Sequence, residues 1–254
     1  MSGVRIERHG RVVVLRLDRQ RGNAIDEAMA EALAAAAAEI AADDRARGVL
    51  LASGHPKLFC PGLDLVSLVE YDRHAMQRFL TRFEEATIGL FALRKPVVAA
   101  VAGAAVAGGC VLALTADHRV LRRGSPIGLN EVRVGIPLPW PVATLLRVSV
   151  APTSVARVAL LGQNLTDEEA REAGLVHEVL EAEGFEAACL ARLEEFADRD
   201  PLALGTTKAY LRDAALAEMR AGGESRRAAF LDAWFGPAGQ EGIRTTVASL
   251  RRKA

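Results

Sequence analysis

The chain has 254 residues, half of them hydrophobic and a quarter charged, with 32 Lys and Arg against 32 Asp and Glu. That length buries a sizeable core as one large domain or two modest ones, and the composition excludes collagen-like, disulfide-knot and coiled-coil-only chains. A net charge of zero gives no general attraction to nucleic acid or anionic membrane, so an anionic ligand has to be held by a local site.

The pattern after the Gly10 turn predicts a strand, Val12-Val-Val-Leu-Arg-Leu17, preceded by an alternating strand through Val4, Ile6 and Arg8 that pairs with it as a hairpin. Asp26 caps a helix whose stripe of Met29, Leu33, Ala36 and Ile40 runs out near Gly48. Val49 to Ala52 reads as a short strand feeding a Gly- and Pro-rich loop from Ser53 to Asp64. A second long helix carries Phe79, Phe83, Ala86 and Leu90 and ends before Lys95-Pro96.

Pro96 to Ala116 is uncharged and about long enough to cross a bilayer. Its content is mostly Ala and Gly, and it divides into a β-branched run (Val97 to Val101), a Gly/Ala stretch and an apolar run (Val111 to Leu114), so strand, loop and buried helix are expected instead. Further on, Thr166 and Glu169 have capping-box spacing for a short helix ending at Gly174, and Val176 to Leu180 reads as a last strand. Phe185 to Arg199, Pro201 to Ala221 and Glu224 to Leu250 all read as helical. Strands alternating with helices place the chain in the α/β class, with a helical appendage at the end.

Cys60, Cys110 and Cys189 are odd in number and far apart, which fits reduced thiols rather than disulfides or a zinc site. No secretory signal is read in the first ten residues and no targeting address in Arg251-Arg-Lys-Ala254, so a cytoplasmic location is expected. The five histidines (His9, His55, His74, His118 and His177) show no metal spacing, and neither Ser53 nor Ser125 sits in a nucleophile elbow.

Three stretches carry candidate chemistry. Phe59-Cys-Pro-Gly-Leu-Asp-Leu65 is a turn whose Gly62 lets backbone amides point outward, although a plain β-turn reads the same way. Gly103-Ala-Ala-Val-Ala-Gly-Gly-Cys110 exposes backbone N–H groups where a helix begins near Gly108; close helix packing accounts for the small residues equally well. It has neither the Gly-Lys-Ser/Thr of a phosphate loop nor the dinucleotide spacing. The third, Ile127-Gly-Leu-Asn-Glu-Val-Arg-Val-Gly-Ile136, sets one carboxylate, Glu131, and one amide, Asn130, in apolar sequence. Alone, Glu131 reads either as a helix-start charge or as a base. Together, two donor turns that make an oxyanion hole and one half-buried carboxylate, its pKa raised by apolar surroundings, suit enolate chemistry.

These motifs, in order and spacing, resemble the crotonase (enoyl-CoA hydratase/isomerase) superfamily from Asn23-Ala-Ile-Asp26 to Gly174-Leu-Val176. The resemblance implies a crotonase-type spiral of ββα units over residues 1–195, and a helical part over 196–254 used for trimerisation in a homotrimer or hexamer. It implies an acyl-CoA thioester substrate, with coenzyme A part of that substrate and no separate cofactor or metal. The thioester oxygen would rest on the backbone N–H groups of Leu63 and Gly108. Ala24, Pro61, Gly62, Asp64, Leu65, Gly109 and Asn130 would line the substrate channel. Lys57, Arg21 and Arg251-Arg252 are candidates for the CoA phosphates, and Trp140, Phe79, Phe83 and Leu90 either shape the acyl pocket or pack the core.

Family hydratases use two glutamates, and the matching positions here are Val111 and Glu131. Val111 cannot hydrogen-bond a water. Dienoyl-CoA isomerases have an aspartate where this chain has Pro139, and methylmalonyl-CoA decarboxylase-like members lack the glutamate this chain keeps. The single-carboxylate pattern is most similar to that of Δ3,Δ2-enoyl-CoA isomerases, with Glu131 as proton carrier. The alternatives are a hydratase, or a lyase acting on an aromatic acyl-CoA, working with one glutamate, with a tyrosine (Tyr71 or Tyr210) or a bound water standing in for the second, and a non-catalytic acyl-CoA binding protein.

Overall fold

The computed structural model describes residues 3–20 and 22–253. Arg21 lies outside the described residues. The chain opens with β1 (Val4–His9), β2 (Val12–Leu17) and α1 (Glu27–Ala42), and a second turn follows with β3 (Gly48–Ser53), β4 (Leu58–Cys60), α2 (Leu65–Leu68) and α3 (Arg73–Phe91). A third holds β5 (Val97–Val101), β6 (Ala104–Val106) and α4 (Gly108–Leu114), and a fourth β7 (His118–Arg122), β8 (Ile127–Gly128) and α5 (Glu131–Val134). Each turn is a ββα unit, as the crotonase spiral requires. Then come α6 (Trp140–Ser149), α7 (Val155–Leu160), α8 (Asp167–Glu172), β9 (Glu178–Leu180) and four helices: α9 (Phe185–Ala197), α10 (Pro201–Ala221), α11 (Gly223–Phe235) and α12 (Pro237–Lys253).

The large sheet has the order β1-β2-β3-β5-β7-β9, antiparallel only between β1 and β2. Strand periodicity divides it between two cores: Val13, Leu15 and Leu17 face α1 and α3, while Val12 and Val14 face α9 through Phe185, Cys189 and Leu193. Burial on both faces explains the continuous apolar runs of β2, β3 and β5. A separate sheet, β4-β6-β8, is all parallel.

The loop expected from Ser53 to Asp64 therefore contains β4, and the Gly/Ala stretch contains β6; strands of three residues are too short to show a period. Pro96 to Ala116 folds as β5, β6 and α4, and among the described residues no helix is long and apolar enough to cross a membrane. The first helix stops at Ala42 rather than near Gly48, where Asp43 takes an extended conformation and Lys95 Nζ donates to the Ile40 and Ala41 carbonyls. The helix expected from Glu224 to Leu250 is broken at Gly236-Pro237, since proline starts a helix more readily than it continues one. The capping box at Thr166 and Glu169 forms with both of its hydrogen bonds.

The final helices pack on the chain's own body. α10 lies against α6, α11 against α3 and α6, and α12 against α2 and α5, burying Ile243 and Val247.

Candidate active site

The small sheet gathers the three stretches. In a parallel sheet the strand C-termini emerge side by side, which is where ligand sites of α/β folds form. β4 delivers Pro61-Gly62-Leu63, β6 delivers Ala107-Gly108, and β8 delivers Asn130-Glu131. Ladder bonds continue past the strands. Ile25 N donates to Gly62 O and Asp64 N to Ile25 O, each at 2.8 Å, while Ala107 N donates to Gly128 O at 2.8 Å.

The loops after β4 and β6 touch: a Cβ placed on Gly62 would lie 3.2 Å from Gly108 N. Gly109 is dictated by the same closeness, because a Cβ there would overlap the Cys60 carbonyl. Gly108 is the first residue of α4, so its N–H has no intrahelical acceptor. The neighbouring loop amides are spent, Ile25, Asp64 and Leu65 on Gly62 O, Ile25 O and Leu63 O. The N–H groups of Leu63 and Gly108 have no such acceptor among the described residues. Two adjacent uncommitted donors on contacting loops can hold one oxygen atom between them.

Glu131 is the first residue of α5, which closes at Gly135 in left-handed conformation. Glu131 thus starts a helix and is also buried, only 7 % exposed. Its Oε2 is buried with no hydrogen-bond partner. Burial pushes its pKa up from 4.5 to about 7, opposed only by its own backbone N–H. A second carboxylate nearby would push it further, and an arginine would pull it back. Among the described residues neither shifts it, and Val111, which the resemblance matches to the second glutamate of hydratases, is buried in α4. Tyr71 is half-buried, and its hydroxyl donates to Glu27 at 3.4 Å. Tyr210 is exposed on α10.

Of the expected lining residues, Pro61 is exposed; Ala24, Leu63, Leu65 and Asn130 are half-buried; Gly62, Asp64 and Gly109 are buried. Asp64 points its carboxylate at Arg19 (3.0 Å) and caps α2 through Ser67. Lys57, Arg251 and Arg252 are exposed. Phe79, Phe83 and Leu90 belong to the core between α3 and its neighbours, and Trp140 turns its Nε1 to the Glu218 carbonyl at 3.1 Å. The three cysteines are free and buried, and among the described residues no His, Cys, Asp and Glu group could hold a metal.

Sequence reading did not find Arg19 or the role of α12. The last helix meets α5 so closely that a Cβ on Gly242 would overlap the Val134 carbonyl, so α12 braces the short helix that carries Glu131.

Four ββα turns with a backbone-donor site at the ends of a small parallel sheet define a crotonase-fold protein. Residues 7–242 match the enoyl-CoA hydratase/isomerase family model, and the chain belongs to that family of enzymes. It is 33% identical over 233 residues to the 2,3-dehydroadipyl-CoA hydratase of Escherichia coli (strain K12), covering 91% of this chain and 89% of the relative. It is 30% identical over 174 residues to the mitochondrial enoyl-CoA delta isomerase 1 of Homo sapiens, covering 68% of this chain and 58% of that relative. The crystal structure of human mitochondrial Δ3-Δ2-enoyl-CoA isomerase shares the fold, with a TM-score of 0.94 over 99% of each chain at 24% identity.

Proposed function

We propose that the protein moves the double bond of a 3-enoyl-CoA to the trans-2 position. The observation that carries this reading is the solitude of Glu131: one desolvated carboxylate, its Oε2 buried without a hydrogen-bond partner and its pKa pushed up to about 7, in a chain whose Val111 is apolar and buried. Glu131 takes a proton from C2 of the thioester, and the electron pair moves onto the thioester oxygen, held by Leu63 and Gly108 N–H. As the pair returns through C2–C3, the C3–C4 double bond collects the same proton at C4, leaving Glu131 ionised. The proton is conserved and no water enters. Ala24, Pro61, Gly62, Asp64, Leu65, Gly109 and Asn130 line the substrate's approach, the CoA is part of the substrate, and no other cofactor or metal takes part.

A second reading, hydration or lysis with one glutamate, is favoured by the likeness to the E. coli relative, a hydratase. The two separate in one assay pair. Conjugated-thioester absorbance gained from a trans-3-enoyl-CoA, abolished by Glu131→Gln, with little loss from a trans-2-enoyl-CoA, supports isomerisation. Efficient loss of the 2-enoyl absorbance would instead mean a hydratase with its second group elsewhere, and silence in both would favour a binding protein. We further propose a cytoplasmic homotrimer or hexamer assembled through residues 196–254, supported by the exposed Leu202, Tyr210 and Leu211 on α10.

A further inference from the structure

Among the described residues only Asn23 (φ 67°) and Ala107 (φ 49°) are non-glycine residues with left-handed backbone. Both stand beside the loops that present the free N–H groups, one before Ile25 and the other before Gly108. Such conformations persist only where the surroundings over-determine them. Asn23 is completely buried: its Oδ1 accepts from Arg19 N (2.8 Å), and its Nδ2 donates to Ser53 Oγ (2.9 Å) and Phe59 O (3.0 Å).

The Arg19 side chain then holds what Asn23 sets up. Its Nη1 donates both to Ala24 O (2.6 Å) and to Asp64 Oδ2 (3.0 Å), and its Nη2 to Asp26 Oδ2 (2.6 Å). Ala24 and Asp64 lie on opposite sides of the parallel bridge between Ile25 and Leu63. One nitrogen therefore clamps the bridge across its width, while the other anchors the clamp to the cap of α1. The Asp64 carboxylate also caps α2, whose first residue is two after Leu63. Rotation of the Leu63 peptide would have to drag Asp64 from Arg19 and from α2 together.

We propose that Arg19 is a positioning residue: by tying Asp64 to the Ala24–Asp26 segment it fixes the direction of the Leu63 N–H toward the thioester oxygen. This rests on the reading of Leu63 and Gly108 as oxygen-holding donors. A lysine cannot replace it, because a single ammonium does not span three acceptors as a planar fork does.

The test uses acetoacetyl-CoA, whose C2 protons are acidic and whose enolate absorbs distinctly. It reads the two donors whichever double-bond reaction the enzyme performs. Wild type, Arg19→Lys and Asp64→Asn are titrated with the probe bound, and kcat, KM and the unfolding midpoint are measured alongside. Expected for both variants are enolisation of the bound probe moved to higher pH and kcat lowered about tenfold to a hundredfold, with KM within about threefold. Asn keeps the cap of α2, so Asp64→Asn decides the matter if Arg19→Lys does not fold. Variants with wild-type enolisation and kcat, or with KM alone raised, overturn the proposal. Absence of an enolate in the wild type overturns the donor reading on which it stands.

Discussion

Glu131→Gln isolates what it costs to keep an ionised carboxylate in this pocket. Burial raises the pKa from 4.5 to about 7. Between those values the folded protein holds a proton that the unfolded chain releases, so stability falls as pH rises through the window. At ~1.36 kcal/mol per pH unit, the loss reaches about 3 kcal/mol above neutrality. Glutamine has the same shape, never ionises, and like the protonated acid buries one polar group. Urea unfolding should therefore give the variant an advantage well under ~1 kcal/mol near pH 4.5 that grows to about 3 kcal/mol near pH 8.5. In thermal unfolding the alkaline advantage is roughly 5–10 °C for a chain of this size. Activity moves the opposite way, dropping by about 10²–10⁴ because the proton carrier is gone. An advantage that does not change with pH, or a variant less stable than wild type near pH 8.5, would refute the claim that Glu131 is desolvated and unpaired.

In the wild type, kcat/KM for a 3-enoyl-CoA should rise with pH through about 7, since only the ionised carboxylate takes a proton; a flat initial-rate profile from about pH 5 to 9 would contradict this. Val111→Glu should bring hydration of a trans-2-enoyl-CoA and shift the pH dependence to higher pH, because a like charge raises the pKa of its neighbour, read from absorbance loss and a pH–rate profile. Gly109→Ala drives a methyl group into the Cys60 carbonyl, forcing β4 and α4 apart; a loss of about 3 kcal/mol in denaturant titration and a falling kcat are expected. Gly242→Ala pushes α12 off the Val134 carbonyl, and kcat should fall further than KM changes, because α5, which then loses its brace, carries the proposed base rather than the CoA channel.

Elements with enough residues to show a period were legible in the sequence. The stripe from Met29 to Ile40 marked α1, and the capping spacing at Thr166 marked α8. The motifs of the site were legible too, as Gly62, Gly108 and Glu131 each stand where local chemistry singles them out. What joins them was not. β4, β6 and β8 are two or three residues long, and their pairing links positions 58, 104 and 127, a relation that no local pattern encodes. Arg19 was illegible for a different reason: in an arginine-rich chain its distinction lies in facing Ala24, Asp26 and Asp64 at once. The apolar residues around Glu131 made its burial legible, but not the part of α12, more than a hundred residues away, which braces the helix that carries it.

The small sheet also explains why one fold serves both kinds of relative. Two backbone donors at the ends of adjacent parallel strands cost the sequence little beyond small residues at Gly62, Gly108 and Gly109, and they stabilise any thioester enolate whatever follows it. Reaction choice is left to the side chains that face the acyl carbons. A second carboxylate orients water and directs the enolate toward addition; an apolar side chain in its place withholds that water, so the proton on the lone carboxylate can only return to carbon. On the proposed reading Val111, buried in the helix that begins at Gly108, is the residue at that branch point. A fold shared with an isomerase at a TM-score of 0.94 and a sequence one-third identical to a hydratase are compatible for this reason. The first reports the scaffold alone, and gain of hydration in Val111→Glu would put the choice between the two outcomes at that single buried position.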